Sequence, residues 1–354
     1  MSGRYRIAVI GGDGIGPEVT NAALSVLDAT EQRFGFTTQR TVLPWSAEAY
    51  VKGQRVTAEM IEPLRPYDAI LLGAIGHPDA PRGLAEHDII FGLRRGLDLY
   101  VNLRPIVLYD DRLTPLRDRT TKDIDFIVVR ENTEDVYGRP IIRSAEGTPD
   151  ETVTSEMIFT RRGTERIVRY AFELARRRPR KHLTLVDKSN ALRLQEIYRG
   201  VLADLGREFP DVETDAVYVD AASMWMVLHP ERFDVIVTTN LFGDIISDLG
   251  AAVVGGLGSG ASGNIHPGKV SVFEPIHGSA PKYAGQGVAS PVGAIGAVAL
   301  MLEHVGEAEA ARAVDAALRE GFRSGRIKGL EAGSGRTMEV TEAVVGSVRK
   351  GVPA

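Results

Sequence analysis

The segment TTNLFGDIISDLG (residues 238–250) overlaps the end of the apolar run FDVIVTTN (residues 233–240), and the two together indicate the fold and its chemistry. The run has the Val/Ile composition of a buried strand, and the segment carries two acids, Asp244 and Asp248. A helix places side chains four residues apart on one face, so the two carboxylates would be neighbours. A lone acidic pair at this spacing is usually a solvated helix face, but ligands of open α/β sheets bind at the carboxyl ends of strands. We therefore expect a cation site at this strand end.

The same pattern of a Val/Ile/Leu-rich run ending in polar residues recurs along the chain. It is found in the stretches YRIAVI, DAILLGAI, IDFIVVREN and HLTLVDKSN. Stretches with helical periodicity lie between these runs, at residues 17–34, 162–177 and 191–208. The alternation predicts an α/β fold. Residues 140–160 break the pattern and predict a protruding β-hairpin, which could clasp a second subunit.

Composition excludes several functions. The 354-residue chain has a formal net charge of −5, which does not favour binding to nucleic acid or to an anionic membrane. It contains no cysteine, so any metal would be bound by Asp, Glu or His, and oxygen ligands favour Mg or Mn. The amino-terminal apolar run IAVIGG is shorter than the core of a signal peptide, and the longest uncharged apolar stretch, residues 291–302, is too short to span a bilayer. We therefore expect a cytoplasmic protein.

The glycine-rich turn GGDGIGPE (residues 11–18) is not a standard nucleotide motif. Counting from Gly12 and Gly14, the third glycine of a G-x-G-x-x-G fingerprint would fall on Pro17. The turn also lacks the G-K-[ST] ending of a P-loop. It can still hold an anion at a helix start, although such a turn is often only a tight connection.

Three arginines suggest a substrate with two negative charges. Arg94, Arg104 and Arg130 follow or flank apolar runs. Each of them alone could be a surface residue or part of a structural ion pair. Arginine can also bind a carboxylate through two parallel hydrogen bonds. Near such a cluster, Tyr137 and Lys188 are candidate proton carriers.

The motifs taken together resemble a known family. They are, in order, GDGIGPE, LDLYVNLRP, VVREN with Tyr137 after it, VDKSN, YVDA, NLFGDIISDL and FEPIHGSAP. This combination resembles the β-decarboxylating dehydrogenases of 3-isopropylmalate, isocitrate, homoisocitrate, tartrate and D-malate. The resemblance implies the two-domain α/β fold of that family, which is not a Rossmann fold. It also implies a homodimer with shared active sites.

By this resemblance, residues 1–101 and 254–354 form a discontinuous cofactor-binding domain. Residues 102–253 form a second domain for dimerisation, metal and substrate, with the arm at about 138–160. The implied reaction is the metal-dependent oxidative decarboxylation of a 3-substituted (2R)-malate by NAD or NADP.

The resemblance also assigns roles to single residues. Asp244 and Asp248 would ligate Mg or Mn together with Asp220 of the partner subunit. Tyr137 would protonate the enol, while Lys188 of the partner subunit would assist removal of the hydroxyl proton. Substrate contacts would come from Arg94, Arg104, Arg130, Ile90, Phe91 and, from the partner subunit, Asn190. The cofactor would be bound by Glu274, His277, Gly278, Ser279, Ala280, Lys282, Tyr283 and Ser290.

The cofactor loop departs from the pattern of isopropylmalate enzymes. After HGSAP those enzymes usually have Asp-Ile, whose acid accepts the ribose hydroxyls of NAD, whereas this chain has Lys282 and Tyr283. A cation and a phenol can bind a 2′-phosphate, so we expect NADP use or dual use. Further phosphate contacts could come from Arg323, Arg326, Lys328 or Arg336. Ser290 also stands where an asparagine is usual.

The substrate segment HDIIFGLR (residues 87–94) leaves the substituent open. Ile90 and Phe91 favour an alkyl group, as in 3-isopropylmalate, while His87 and Arg95 add cationic character that resembles homoisocitrate enzymes. Isocitrate, D-malate, tartrate or a specialised malate analogue of secondary metabolism are the alternatives. Asp135 also replaces a glycine of the T-E-G-x-Y form found in several relatives.

A non-catalytic regulatory subunit of the same fold is the alternative from a different class. Such a subunit would lack a metal or proton-transfer residue. This chain has Tyr137, Lys188, Asp220, Asp244 and Asp248, which favours an enzyme.

Overall fold

The computed structural model describes residues 3–351 and shows the mixed α/β architecture that the sequence predicts. The strands in this range are β1 (Arg4–Gly12), β2 (Thr37–Val42), β3 (Ala69–Ala74), β4 (Val101–Val107), β5 (Asp125–Glu131), β6 (Ile142–Ser144), β7 (Thr152–Thr154), β8 (His182–Asp187), β9 (Glu213–Tyr218), β10 (Val235–Thr238), β11 (Ala261–Ile265) and β12 (Ser271–Pro275). The α-helices are α1 (Gly16–Phe34), α2 (Ala47–Val51), α3 (Ala58–Ile61), α4 (Leu84–Glu86), α5 (Gly92–Gly96), α6 (Arg161–Arg177), α7 (Glu196–Gly206), α8 (Val219–Leu228), α9 (Asn240–Val253), α10 (Val292–His304), α11 (Ala308–Arg323) and α12 (Thr337–Lys350). A π-helical turn, His87–Phe91, joins α4 to α5.

The chain forms two compact units. Within the described residues, the first unit comprises residues 3–99, 103–125 and 250–351, and the second comprises 100–102 and 126–249. The sequence placed the domain changes at 101/102 and 253/254 instead. The assignment of cofactor binding to one domain and dimerisation to the other stays a prediction.

The first unit is built on strands in the order β2-β1-β3-β12-β11. The pairs β1–β2, β1–β3 and β12–β3 are parallel, and β11–β12 is antiparallel. Every residue of β3 is buried, as expected for a parallel strand that is covered on both faces. The predicted helix at 17–34 is confirmed as α1, which has proline in its first turn and ends at Gly35 in the left-handed conformation.

The second unit is a parallel sheet in the order β5-β10-β8-β9. The predicted helix at 162–177 is confirmed as α6, whose cap is the Thr160 hydroxyl accepting from the Gly163 amide. The stretch predicted as one helix at 191–208 instead begins with a single 3₁₀ turn, Arg193–Gln195, before α7. Its first residues form a turn in which the amides of Ala191 and Leu192 both donate to the Lys188 carbonyl.

Strands β6 and β7 pair antiparallel within the predicted hairpin region, with Ile142 opposite Thr154. All six strand residues are exposed. The function of this hairpin as a dimer arm stays a prediction. Among residues 3–351, no helix has the length and apolar composition needed to cross a membrane.

The turn before α1 generates a prediction about stability. Gly14 has φ +59°, and a Cβ there would lie 2.0 Å from the Ser279 carbonyl oxygen, whereas Gly35 has φ +79° with no atom within 4 Å of a Cβ. Gly35→Ala should therefore cost about 1 kcal/mol through backbone strain alone. Gly14→Ala should cost at least about 1 kcal/mol more, because a backbone carbonyl must also move. Urea unfolding measures both, and equal shifts would contradict the packing argument.

Candidate functional site

The acidic pair lies on one helix face, as predicted from its spacing. Asp244 and Asp248 are on consecutive turns of α9, the helix that starts two residues after β10 ends. The Asp244 carboxylate contacts the Arg130 guanidinium through one oxygen and accepts a hydrogen bond from the Tyr137 hydroxyl, at 2.9 Å, through the other. Asp248 is exposed. The helix therefore presents one acid that is already held by two predicted site residues and one that is open to solvent.

Arg130 is the penultimate residue of β5 and is only 1% exposed. A buried guanidinium is costly unless its donors are satisfied. Its Nε and Nη2 both donate to the Asn240 side-chain oxygen, at 3.0 and 2.8 Å. A Cβ on Gly243 would lie 2.5 Å from Arg130 Cγ, so this glycine makes room for the arginine beside α9. Asn240 was not predicted as a site residue, yet it fixes the guanidinium.

Tyr137 keeps its proton at neutral pH. Burial, followed by the charge and hydrogen bond of Asp244, raises the pKa of Tyr137 to about 12. The Arg130 guanidinium carbon lies 5.3 Å from the centre of the tyrosine ring. The phenol is thus a protonated group next to a carboxylate and an arginine.

Lys188 and Asp220 form a second pair in the same unit. Lys188 Nζ lies 2.5 Å from Asp220 Oδ1, and the hydrogen bond from this ammonium lowers the pKa of Asp220. Asn190 is exposed in the turn after β8, two residues beyond Lys188. Within residues 3–351, no three His, Asp or Glu side chains are grouped so that they could hold a metal ion. The proposed delivery of Asp220 to a partner subunit's site stays a prediction.

In the first unit, Ile90 and Phe91 lie in the π-helical turn, Arg94 lies on α5 directly after it, and Arg104 lies on β4. Arg94 and Arg104 are each 8% exposed. Arg94 Nη2 lies 3.6 Å from Glu274 Oε1, and its guanidinium carbon lies 5.5 Å from the centre of the Phe91 ring. Ile90 lines the same small crevice as Arg94 and Glu274. The structure therefore brings these four predicted residues together: Ile90, Phe91, Arg94 and Glu274.

The side chains of His87 and Arg95 contact each other. Arg95 Nη2 lies 2.9 Å from His87 Nε2, and His87 Nδ1 lies 3.2 Å from Asp88 Oδ1. Asp88 also accepts two hydrogen bonds from Arg55, at 2.9 and 2.7 Å. A polar network thus borders the apolar residues Ile90 and Phe91.

The predicted cofactor loop packs on the glycine-rich turn, because Ile15 donates its amide to the Ser279 carbonyl at 2.8 Å. The loop region contains buried polar atoms that lack a hydrogen-bond partner among the described residues. They include His277 Nε2 and Ser290 Oγ. Burial lowers the pKa of His277, so its imidazole is neutral at pH 7. Gly278 is exposed, and a Cβ there would meet no atom within 4 Å. These features fit a bound nucleotide.

The rest of the loop lies at the surface. Lys282 is exposed, with its Nζ 4.6 Å from the centre of the Tyr283 ring, and Ala280 is held at φ +39°. Of the further arginines considered for a 2′-phosphate, Arg323 and Arg326 both approach Glu320, at 2.5 and 4.0 Å.

Two acids of the motif GGDGIGPE hold the loops around the cofactor region. Asp13 accepts hydrogen bonds from the amides of Ala47 and Glu48, at 2.7 and 2.9 Å, and so caps α2. Glu18 accepts from the amide of Ala289 at 3.3 Å and from the Thr337 hydroxyl. The sequence showed both acids beside glycines, but their partners are far away along the chain.

Comparison with known proteins identifies the class. Residues 6–344 match the family model described as isocitrate/isopropylmalate dehydrogenase. A 3-isopropylmalate dehydrogenase of Thermobifida fusca is 49% identical over 325 residues, covering 90% of this chain and 92% of that protein. A probable tartrate dehydrogenase/decarboxylase of Agrobacterium vitis is 42% identical, covering 97% of this chain and 98% of that protein.

The solved structure of an isocitrate dehydrogenase from Methylococcus capsulatus aligns with a TM-score of 0.84 at 38% identity, covering 98% of this chain and 99% of that chain. The chain belongs to the isocitrate/isopropylmalate dehydrogenase family. It is an NAD(P)-dependent β-decarboxylating dehydrogenase, and the predicted family fold is confirmed.

The Arg130–Asn240 contact generates a prediction. Asn240 is 3% exposed, so Asn240→Ala would leave two buried guanidinium donors without their acceptor. We expect a loss of about 1–3 kcal/mol of unfolding free energy. Asn190→Ala, at an exposed asparagine, is the control and should change stability by less than about 0.5 kcal/mol. Equal effects in urea unfolding would show that the buried contact is not what stabilises this region.

Proposed function

We propose that this protein catalyses the metal-dependent oxidative decarboxylation of a 3-substituted (2R)-malate, with 3-isopropylmalate as the preferred substrate. The observation that carries this proposal is the Asp244 carboxylate, which is shared between Arg130 and the protonated phenol of Tyr137. An acid, an anion-binding group and a metal ligand are thereby held within one cluster. The sequence relatives named 3-isopropylmalate dehydrogenase support the choice of substrate.

Asp244 and Asp248, with the partner subunit's Asp220, would hold the divalent metal. Their oxygen donors suit Mg or Mn. When bound, the metal would supply positive charge that favours ionisation of the substrate hydroxyl, and the nicotinamide would supply the capacity to accept a hydride. Asp248 is exposed and lies one helical turn after Asp244 on α9.

The side chains of the protein would orient the substrate and transfer protons. Arg94, Arg104 and Arg130 would orient the two malate carboxylates through paired hydrogen bonds. The partner subunit's Lys188 would assist removal of the hydroxyl proton, with the partner subunit's Asn190 beside the substrate. After loss of carbon dioxide, Tyr137 would give its proton to the enol carbon.

Residues around the π-helical turn would determine which group at C3 of the malate is accepted. Ile90 and Phe91 provide an apolar surface that favours an alkyl group. The adjoining His87–Arg95 pair supports the second candidate, a polar substituent as in tartrate or homoisocitrate. The tartrate dehydrogenase relative at 42% identity agrees with this alternative.

A homodimer would complete the site. Helix α8, which begins beside Asp220, exposes the apolar side chains of Met224 and Leu228, each 51% exposed. On the hairpin, Ile142 is 64% exposed and Val153 is 52% exposed. Exposed apolar surface of this kind is typical of a subunit interface. We propose that these surfaces pair in the dimer.

NADP use, or dual use, is the proposed cofactor preference. Lys282 projects at the surface beside Tyr283, where a cation and a phenol can meet a 2′-phosphate. The other cofactor contacts would come from Glu274, His277, Gly278, Ser279, Ala280 and Ser290.

An assay of substrates tests the proposed function. We expect turnover of 3-isopropylmalate with Mg or Mn, release of carbon dioxide, and loss of activity with a chelator that is reversed by adding the metal. Isocitrate, homoisocitrate, D-malate and tartrate are assayed in parallel. A substrate from this set that is turned over faster would replace 3-isopropylmalate, and no turnover of any of them would reject the dehydrogenase function.

The metal assignment has a matched control. Asp248→Asn should lower kcat by at least about 100-fold, because a metal ligand loses its charge. Asp118→Asn alters an exposed acid in a left-handed conformation that asparagine tolerates, and should leave kcat unchanged. Unchanged turnover in Asp248→Asn would show that the metal site is elsewhere.

A cofactor swap tests the loop. The double variant Lys282→Asp, Tyr283→Ile should shift the ratio of kcat/KM for NADP over NAD by at least about tenfold toward NAD, since it replaces a phosphate-binding cation by an acid that accepts ribose hydroxyls. Lys122→Asp, at another exposed lysine, is the control for net charge. A wild-type protein with a strong preference for NAD would contradict the proposal.

A further inference from the structure

Asp135 has an unusual conformation and environment. Its φ is +77°, in the left-handed region that favours glycine, and the residue is fully buried. A side chain in this conformation strains the backbone, and a buried carboxylate loses its hydration. Both costs must be offset by specific contacts, and the structure contains them.

The Asp135 carboxylate caps helix α9. Its Oδ2 accepts a hydrogen bond from the Leu241 amide at 2.9 Å, in the first turn of the helix, while its Oδ1 accepts from the Val136 amide at 2.9 Å. Amides in a first helical turn have no acceptor within the helix, and a negative charge there is favoured by the helix dipole. The cap therefore comes from a residue more than one hundred positions earlier in the chain.

The backbone of Asp135 is fixed as well. Its amide donates to the Ile158 carbonyl at 3.0 Å, and its own carbonyl accepts from Arg139 Nε at 3.0 Å. The neighbouring Glu134 carbonyl accepts from the Asn240 side chain at 3.1 Å. The loop before Tyr137 is thereby tied to the start of α9 at two adjacent residues, Glu134 and Asp135.

These ties lie close to the proposed chemistry. Tyr137 follows Asp135 by two residues, and Asp244 follows Leu241 by three, less than one helical turn. The Tyr137 hydroxyl donates to Asp244 at 2.9 Å, so the Asp135–Leu241 bond and the Tyr137–Asp244 bond join the same two segments. Loss of the Asp135–Leu241 hydrogen bond would therefore allow the distance between Tyr137 and Asp244 to change.

We propose that Asp135 is a positioning residue that sets the distance between the acid Tyr137 and the metal-binding helix through its hydrogen bond to the Leu241 amide. This inference rests on the proposed function of Tyr137 and Asp244. Asp135 is fully buried, and its two carboxylate oxygens accept from the amides of Leu241 and Val136. It acts through the placement of α9.

Two variants separate positioning from folding. Asp135→Gly removes the cap but also relieves the left-handed strain, so we expect its melting temperature to stay close to that of the wild type. Asp135→Asn keeps an acceptor for Leu241 and tolerates the left-handed conformation. The full-length protein is titrated with Mn²⁺ alone, followed by electron paramagnetic resonance of the free ion, and kcat and the KM for NADP are measured in parallel.

We expect Asp135→Gly to weaken Mn²⁺ binding and to lower kcat, each by about 10- to 100-fold, the usual effect of losing a group that orients a ligand. The KM for NADP should be unchanged, because the proposed cofactor residues lie on other loops. Asp135→Asn should recover most of both losses.

Wild-type Mn²⁺ affinity and kcat in Asp135→Gly would overturn the inference. So would an Asp135→Asn protein with native melting temperature and Mn²⁺ affinity no better than that of Asp135→Gly. If the wild type turned over no substituted malate, the proposed function would fail, while the Mn²⁺ titration would still decide whether Asp135 positions α9. If Asp135→Gly cannot be purified folded, near-native Mn²⁺ affinity in Asp135→Asn supports the hydrogen bond, and a loss of more than tenfold overturns it.

Discussion

The candidate site of the second unit depends on the hydrogen bonds of the buried Arg130 guanidinium. Arg130 is permanently charged and only 1% exposed, so its donors need acceptors within the protein instead of water. Asn240 satisfies two of its donors and Asp244 a third, so the end of β5 is fixed to the first turns of α9. Tyr137 then reaches the same Asp244 from the loop that follows β5. The positions of an acid, a carboxylate and an arginine thus follow from one buried charge.

Much of this arrangement could be read from local sequence. The strands β3, β5, β8 and β10 contain apolar runs that the sequence shows directly. The pair Asp244 and Asp248 falls on one face of α9 because their spacing matches a helical turn. The family motifs then indicated the class of reaction. These features depend on residues that are close together in the chain, where periodicity and motif spacing are informative.

The contacts that the sequence did not reveal join distant residues. Asn240 looked like the polar end of a strand, but it is the acceptor for Arg130, 110 positions away. Asp13 sits among glycines that resemble an anion-binding turn, yet its carboxylate caps α2. In both cases the side chain could accept hydrogen bonds from many donors, and the fold determines which donor lies close enough. The sequence predicted one helix at 191–208, but the structure has a 3₁₀ turn followed by α7. This difference follows from a turn in which the Lys188 carbonyl accepts two amides, and the spacing of apolar residues does not reveal such a turn.

The discontinuity of the first unit has a consequence for synthesis on the ribosome. Strand β3 pairs with β12, so its second edge stays open until about two hundred further residues have been translated, at roughly 5–20 residues per second. Residues 126–249 emerge as one segment and contain the paired strands β5, β10, β8 and β9. We expect the second unit to fold first, while the apolar strand β3 lacks its partner β12 and requires protection from aggregation. Helix α9, with Asp244 and Asp248, would then exist before the loop at residues 274–290 has been made.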